Sequence, residues 1–315
     1  MKIVTKIENY LEEKPCILTI GTFDGVHIGH QEIIHNLITE ARKKNILAVV
    51  LTFFPHPRMV LQKNSEIKLI DSTEDKQKIL ASLGLDVLVI HPFSKEFSRL
   101  TPLEFTRDIL VNTFNISKVI IGYDHRFGRN REASITDLRE FSTVYGFEVE
   151  EIPAQEIASV NVSSTKIRTA LEEGNIEKVN QFLNRPFLLT GKVTRGAGLG
   201  RTINFPTANI EIKETYKLCP PNGVYRVQSL IDGKQVLGMM NIGVRPTVGG
   251  SNKTIEVHFF EFNNDLYQQT LSIEILSKIR EEQKFDSVEE LQNQLKKDKK
   301  NSTALFDSER SNSKA

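Results

Sequence analysis

At 315 residues the chain is longer than most single domains, so two domains are the first expectation. Hydrophobic content of 39% with 26% charged residues is ordinary for a globular protein, and 41 basic against 40 acidic side chains leave a formal charge of +1, which gives no support for a broad nucleic-acid-binding surface. Only Cys16 and Cys219 are cysteines, without His or Cys neighbours at ligand spacing, and no apolar run approaches the ~20 residues of a membrane span, so a disulfide framework, a zinc site and a membrane protein are all disfavoured and a reducing cytoplasm is expected.

In chain order, "CILTIGTF" (Cys16–Phe23) reads as a buried strand, and Ile33, Ile34, Leu37, Ile38 and Ala41 then form one helical stripe. Strand "ILAVVLTF" (Ile46–Phe53) follows, then a helix around Asp75–Leu83 and a strand at "LDVLVI" (Leu85–Ile90). A helix around Pro102–Phe114 has proline near its start; next come strand "KVIIGY" (Lys118–Tyr123), helix Ile135–Tyr145 and strand "FEVEEI" (Phe147–Ile152). Strands alternating with helices predict an α/β, Rossmann-like, doubly wound parallel sheet, whose ligands bind beyond the carboxyl ends of the strands. Two short helices, Ser164–Glu172 and Ile176–Leu183, close this half at about residue 184.

From Pro186 to about Leu276 the segments are short, alternating and glycine-punctuated, with a hairpin signal at "IDGK" (Ile231–Lys234). Strands without intervening helices predict a small antiparallel Greek-key β-barrel over residues 185–300. Ser287 and Glu290 read as a capping box opening a last helix through Leu295. Residues 301–315 read as a polar, disordered tail.

The stretch "TIGTFDGVHIGHQEII" (Thr19–Ile34) places Gly25, Gly29, His27 and His30 at a strand-to-helix turn. Free backbone N–H groups at the helix start favour an anion there, and two imidazoles aimed at one place suit a polyphosphate. Solvated loop histidines or a simple cap are the bland alternative, and there is no third ligand for zinc and no Walker A motif. "SSTKIR" (Ser163–Arg168) offers a second helix start with a cation, though alone it reads as a plain cap with an exposed basic helix. "GKVTRGAGLGRTINFPTANI" (Gly191–Ile210) is glycine-rich but fails the dinucleotide fingerprint, because its spacing differs and no βαβ unit follows. In "FPTAN", Thr207 and Asn209 lie two apart on an extended strand, so their hydroxyl and amide point the same way, though standing alone the stretch reads as an ordinary β-turn followed by a strand.

"HIGH" is the H-x-G-H signature of the nucleotidyltransferase superfamily. With "FFPHP" (Phe53–Pro57), "IGYDHRFGRNRE" (Ile121–Glu132) and "VSSTKIR" (Val162–Arg168), the first half resembles the FMN adenylyltransferase module of prokaryotic bifunctional riboflavin kinase/FAD synthetases. "FPTAN", "PNGVYRV" (Pro221–Val227), "MMNIGVRPTVGG" (Met239–Gly250) and "TIEVHFFEFNNDLY" (Thr254–Tyr267) resemble the riboflavin kinase module of the same family. The resemblance implies ATP-dependent phosphorylation of riboflavin to FMN, then adenylylation of FMN to FAD with release of pyrophosphate. It implies ATP binding by Gly21, Phe23, Asp24, Gly29, Ser164, Thr165 and Arg168 beside His27 and His30, and by Gly191, Gly196, Gly198, Thr207 and Asn209 in the barrel. Asp124, Arg126, Phe127 and Arg245 would meet the flavin, Thr207 and Asn209 would hold Mg²⁺, and Glu256 would be the general base. Its partners would be ATP, riboflavin, FMN and FAD, with no nucleic acid or membrane, and weak self-association is left open. Departures stand at His125, where relatives carry an aromatic residue, and at Asn204 and Gln268, where glycine is common.

Overall fold

A computed structural model describes residues 1–62, 65–122, 126–152, 162–196, 199–247 and 250–312 of the chain. The chain packs as two units, Met1–Ser164 and Thr165–Ala315.

The first unit is built on six parallel strands in the order β1-β4-β3-β2-β5-β6. They are β1 (Lys2–Val4), β2 (Cys16–Ile20), β3 (Leu47–Phe53), β4 (Val87–His91), β5 (Ile116–Gly122) and β6 (Glu148–Ile152). The two-residue period of the strands sorts the side chains. Cys16, Leu18, Ile20, Val49 and Leu51 enter one apolar cluster, while Ile17, Ala48 and Val50 enter the other. Helices α1 (Ile28–Lys44), α2 (Pro57–Leu61) and α3 (Thr73–Ser82) follow the first strands, and Ile34, Leu37 and Leu80 fill the second cluster. The opposite face is covered by α4 (Pro102–Glu104), running on into a π-helical stretch, Phe105–Val111, and by α5 (Ile135–Tyr145). Phe105, Ile109, Leu110 and Phe114 are buried, and apolar residues recurring every four to five positions suit i→i+5 turns better than an α-helix. Thr101 and Glu104 close a reciprocal capping box before Pro102. Connections from β2 run to β3 on one side, while β5 pairs with it on the other. The carboxyl ends of β2 and β5 therefore form the switch point of the sheet.

The second unit opens with α6 (Ser164–Glu172, whose first residue belongs to the first unit) and α7 (Ile176–Leu183). The change in sequence character falls at Pro186, but packing groups these helices with the barrel. Asn180 accepts from Phe187 N at 2.8 Å and donates to Ile275 O at 2.9 Å. The barrel comprises β7 (Phe187–Thr194), β8 (Ala208–Glu211), β9 (Gly223–Ile231), β10 (Lys234–Thr247), β11 (Gly250–Phe259) and β12 (Thr270–Arg280), with a short α8 (Leu199–Thr202) between β7 and β8. It closes in the order β10-β11-β8-β7-β12-β9, every pair antiparallel.

The C-terminal segment departs from expectation. α9 runs Val288–Asn312, through most of the span read as a disordered tail. Its inward stripe is Leu291, Leu295, Asp298, Ser302 and Phe306, and the polar members hide the periodicity from a hydropathy reading. Asp298 is fully buried and accepts two bonds from Arg280, Nε and Nη2, at 2.9 and 2.8 Å to the same oxygen. Losing one partner of such a pair costs about 3–5 kcal/mol, enough to hold a polar helix down. Arg226 also lies over the Phe306 ring at 4.8 Å. Ser287 caps the helix by accepting from Glu290 N at 3.1 Å, but the Glu290 carboxylate reaches back to Asp286 N, not Ser287 N.

Candidate active sites

In the first unit, the loop from β2 to α1 carries three consecutive constraints. Phe23, Gly25 and Val26 have φ of 44°, 88° and 39°, left-handed values that cost a non-glycine residue about 1–3 kcal/mol each. Gly25 is also pressed on Ile70, whose side chain a Cβ would meet at 3.0 Å. The turn delivers His27 as the N-cap of α1, its ring nitrogen accepting from His30 N at 3.4 Å. That bond uses Nδ1 as an acceptor, so the proton of neutral His27 sits on Nε2, facing away from the helix backbone. The two imidazoles stack with centroids 3.6 Å apart and planes 16° apart, and the Phe23 ring meets His30 edge-on at 5.1 Å.

Burial pushes His27 down to about 4. Burial, then the His27 ring, then the Lys76 ammonium push His30 well below its ordinary value. Both imidazoles are therefore neutral at pH 7. His30 Nδ1 is buried without a hydrogen-bond partner among the described residues. Of the other expected ATP residues, Gly21, Asp24 and Gly29 belong to this turn or its flanks and Ser164 bonds to it. Gly21 underlies the Phe23 ring and Gly29 is buried in the first turn of α1. Asp24 is buried, its Oδ1 accepting from Ile70 N and its backbone O from Ser164 Oγ, each at 2.9 Å. It fastens the loop. Thr165 is exposed and Arg168 half-buried on α6. His56 caps α2, accepting from Arg58 N at 3.2 Å, as a stiff turn requires.

Of the expected flavin residues, Asp124 lies outside the described residues, as does the neighbouring His125. Arg126 is exposed, while Phe127 is buried and bridged to Ala133. Phe127 ends a chain of rings that sequence reasoning missed: Phe93, Phe53, Phe97, Phe105 and Phe127, with successive centroids 5.6, 5.4, 6.2 and 5.8 Å apart. Phe53 and Phe93 stand at and beyond the carboxyl ends of β3 and β4, and only the folded sheet brings them together.

In the barrel, register supplies the geometry. Asn209 on β8 sits between Thr194 on β7 and Glu256 on β11, and Glu256 in turn opposes Asn241 on β10. Directly opposed residues share a face, so four polar side chains form one row across four strands. Thr207 Oγ1 lies 3.4 Å from Glu256 Oε2. Asn241 was not singled out from the sequence, because its place in the row is visible only in the pairing. Gly196 packs so closely on the Asn209 amide that a Cβ would overlap it, and Gly191 is pressed on Glu211 O, which a Cβ would meet at 2.7 Å. Gly198 lies outside the described residues, and so does the side chain of Arg245, although its backbone is part of β10. Asn204 and Gln268 have φ of 59° and 66°, so each takes the left-handed conformation that a glycine supplies without strain. His258 is structural, bonded to Pro206 O at 2.8 Å between the Phe205 and Phe260 rings.

Beside the row, a cavity of about 390 Å³ is lined by Thr207, Val257, Phe259, Arg201, Asp265 and Tyr267 among others. Arg195 and Arg201, at the two ends of the glycine loop, both lie over the Tyr267 ring at 5.8 and 5.9 Å. Among the described residues no cluster of three or more His, Cys, Asp or Glu side chains is set to hold a metal. The oxygens of Thr207, Asn209 and Glu256 are hard donors of the kind that bind a divalent cation together with phosphates, so the residues fit such an ion. Among the described residues no helix is long and apolar enough to cross a membrane.

Family models divide the chain in the same sense: FAD synthetase matches residues 10–166 and riboflavin kinase residues 183–306. The bifunctional riboflavin kinase/FMN adenylyltransferase of Escherichia coli K12 is 35% identical over 97% of this chain and 98% of its own length. That of Listeria monocytogenes is 38% identical over 92% of each. A crystal structure described as a macrolide-efflux protein from Streptococcus pneumoniae has a TM-score of 0.86 at 31% identity, covering 95% of this chain and 97% of that one. The chain belongs to the family of bifunctional riboflavin kinases/FMN adenylyltransferases.

Proposed function

We propose that the barrel phosphorylates riboflavin and that the parallel-sheet unit adenylylates the resulting FMN, each with residues of its own. The observation that carries this reading is a separate polar group in each unit: the His27–His30 stack at a helix start, and the Thr207–Asn209–Glu256 group in the barrel.

In the barrel, Glu256 takes the proton of the ribityl hydroxyl as its oxygen attacks the γ-phosphorus of ATP. Thr207 and Asn209 hold Mg²⁺ and phosphate oxygens, and the ion supplies charge neutralisation when bound. Gly191, Gly196 and Gly198 serve the nucleotide, and Arg245 serves the flavin.

In the sheet unit, the FMN phosphate attacks the α-phosphorus and pyrophosphate leaves. His27 donates from Nε2, and with His30 and the free N–H groups of α1 it stabilises charge growing on the transferred group. Gly21, Phe23, Asp24 and Gly29 shape this loop; Ser164, Thr165 and Arg168 contribute at a second helix start. Asp124, Arg126 and Phe127 serve the flavin, and the half-buried rings of Phe53, Phe93 and Phe97 offer the isoalloxazine apolar contact. Neither Cys16 nor Cys219 forms a disulfide, in keeping with a cytoplasmic enzyme.

Incubation with riboflavin, ATP and Mg²⁺ is expected to yield FMN and then FAD by chromatography, and FMN with ATP is expected to yield FAD directly. Absence of both products removes the reading. Gly196→Ala is expected to displace the Asn209 amide, lowering FMN formation by on the order of 10²-fold and leaving FMN-to-FAD conversion unchanged. Steady-state rates of the two reactions on one preparation check it.

A further inference from the structure

Lys76 lies on α3 four residues past the cap Ser72, where a solvent-facing lysine is the ordinary expectation. It is instead buried at 8% exposure. Its Nζ donates to Thr22 O at 2.6 Å, a carbonyl that also accepts from Thr52 Oγ1 at 3.2 Å. Thr22 is the residue before the left-handed turn of Phe23, Gly25 and Val26. The entry to α3 grips the same loop again through Ile70 N and the Asp24 carboxylate. A buried ammonium costs several kcal/mol unless paired, and here Asp24 and Asp71 support the charge against burial.

We propose that Lys76 is a positioning residue for adenylyl transfer, holding Thr22 O from beneath so that the Phe23–Val26 turn presents His27 stacked on His30. The proposal rests on the reading that this imidazole pair handles ATP phosphates. The choice of an ammonium over a neutral donor has two effects. It adds positive potential under a site for a polyphosphate, and it disfavours a second positive charge on His30. Among the described residues, the titratable groups that bear on His30 are His27 on α1 and Lys76 on α3, and Asp24 and Asp71 bear on the lysine. Protonating Nδ1 of His27 also removes the acceptor that caps α1, so acid opposes the arranged state twice.

The test uses the full chain and follows kcat/KM for FAD formation from FMN and ATP from about pH 3.5, in brief assays at the acid end, to about pH 9, a profile that reports the free enzyme. Lys76→Met is expected to lower kcat/KM by on the order of 10²-fold and to move its acid limb about one pH unit upward, because removing the cation lets His30 protonate more readily. Lys76→Arg, which keeps charge and donor, is expected to stay within about tenfold of wild type with the acid limb in place. A residue that merely packs lowers the rate without moving that limb. If the Met variant does not fold, Lys76→Gln replaces it. An unshifted limb in the folded neutral variant overturns the proposal, as does an Arg variant no more active than the neutral one. The His27→Asn/His30→Asn double variant separates the two ideas. If it still makes FAD, the phosphate reading of the pair is what fails; if it makes none while the neutral Lys76 variant keeps the wild-type limb, only the role of Lys76 is lost.

Discussion

Glu256→Ala is expected to lower FMN formation from riboflavin by on the order of 10³-fold, the usual contribution of a general base, while the same protein converts added FMN to FAD near the wild-type rate. Glu256 sits in mid-strand on β11, fixed by pairing to Asn209 on one side and Asn241 on the other. A carboxylate held this way reaches a bound hydroxyl without a loop having to order first. The same oxygen lies 3.4 Å from Thr207 Oγ1, so removing the carboxylate also disturbs the group proposed to hold the cation. Glu256→Gln distinguishes the two contributions. It keeps the shape and the bond to Thr207 but cannot take a proton, so as a base substitution it fails about as badly as Ala. A Gln variant within about tenfold of wild type assigns Glu256 to positioning instead. Parallel loss of FAD formation from added FMN in either variant contradicts the division of labour between the units.

What was legible in the sequence follows from how local its cause is. The parallel sheet was legible because Cys16–Ile20 and Leu47–Phe53 are buried on both faces and read as unbroken apolar runs. β1 was not, since three residues at the sheet edge carry too little pattern. The barrel strands were legible from alternation and turn residues, but the row Thr194–Asn209–Glu256–Asn241 exists only through register between strands far apart in sequence. Lys76 shows the same limit at the other site. A lysine in a helix reads as solvated, and nothing in "STEDKQK" announces that Thr22 O, 54 residues away, claims its ammonium. α9 was cut short because Asp298 and Ser302 occupy buried positions of its stripe; the Asp298 carboxylate is paired with Arg280 on another element, and the Ser302 hydroxyl donates to Asp298 O within the helix. Asn204 and Gln268 looked like departures from glycine, yet both keep the left-handed backbone, so the change is one of strain and not of path.

His27→Asn with His30→Asn is expected to lower FAD formation by at least on the order of 10³-fold and to leave FMN accumulating from riboflavin, since donors aimed at developing phosphate charge are worth about 10²–10³ apiece. Asparagine is chosen at position 27 because it caps a helix as well as any residue. A histidine that serves only as the cap of α1 is replaced by it without loss. The substitution also has a stability consequence of opposite sign. Buried His27 has its pKa pushed from 6.5 to about 4, so between those values the unfolded chain binds more protons than the folded one. Stability from this group is complete above about pH 6.5 and falls as the pH drops toward 4, by roughly 3 kcal/mol in all. His30, displaced in the same direction, adds to the loss. Neither asparagine titrates, so the double variant is expected to withstand acid better than wild type in urea unfolding at pH 5, and to differ little at pH 8. A protein that keeps its helix cap, gains acid resistance and makes no FAD uses these imidazoles for phosphate chemistry; one that still makes FAD at the wild-type rate uses them only to start a helix.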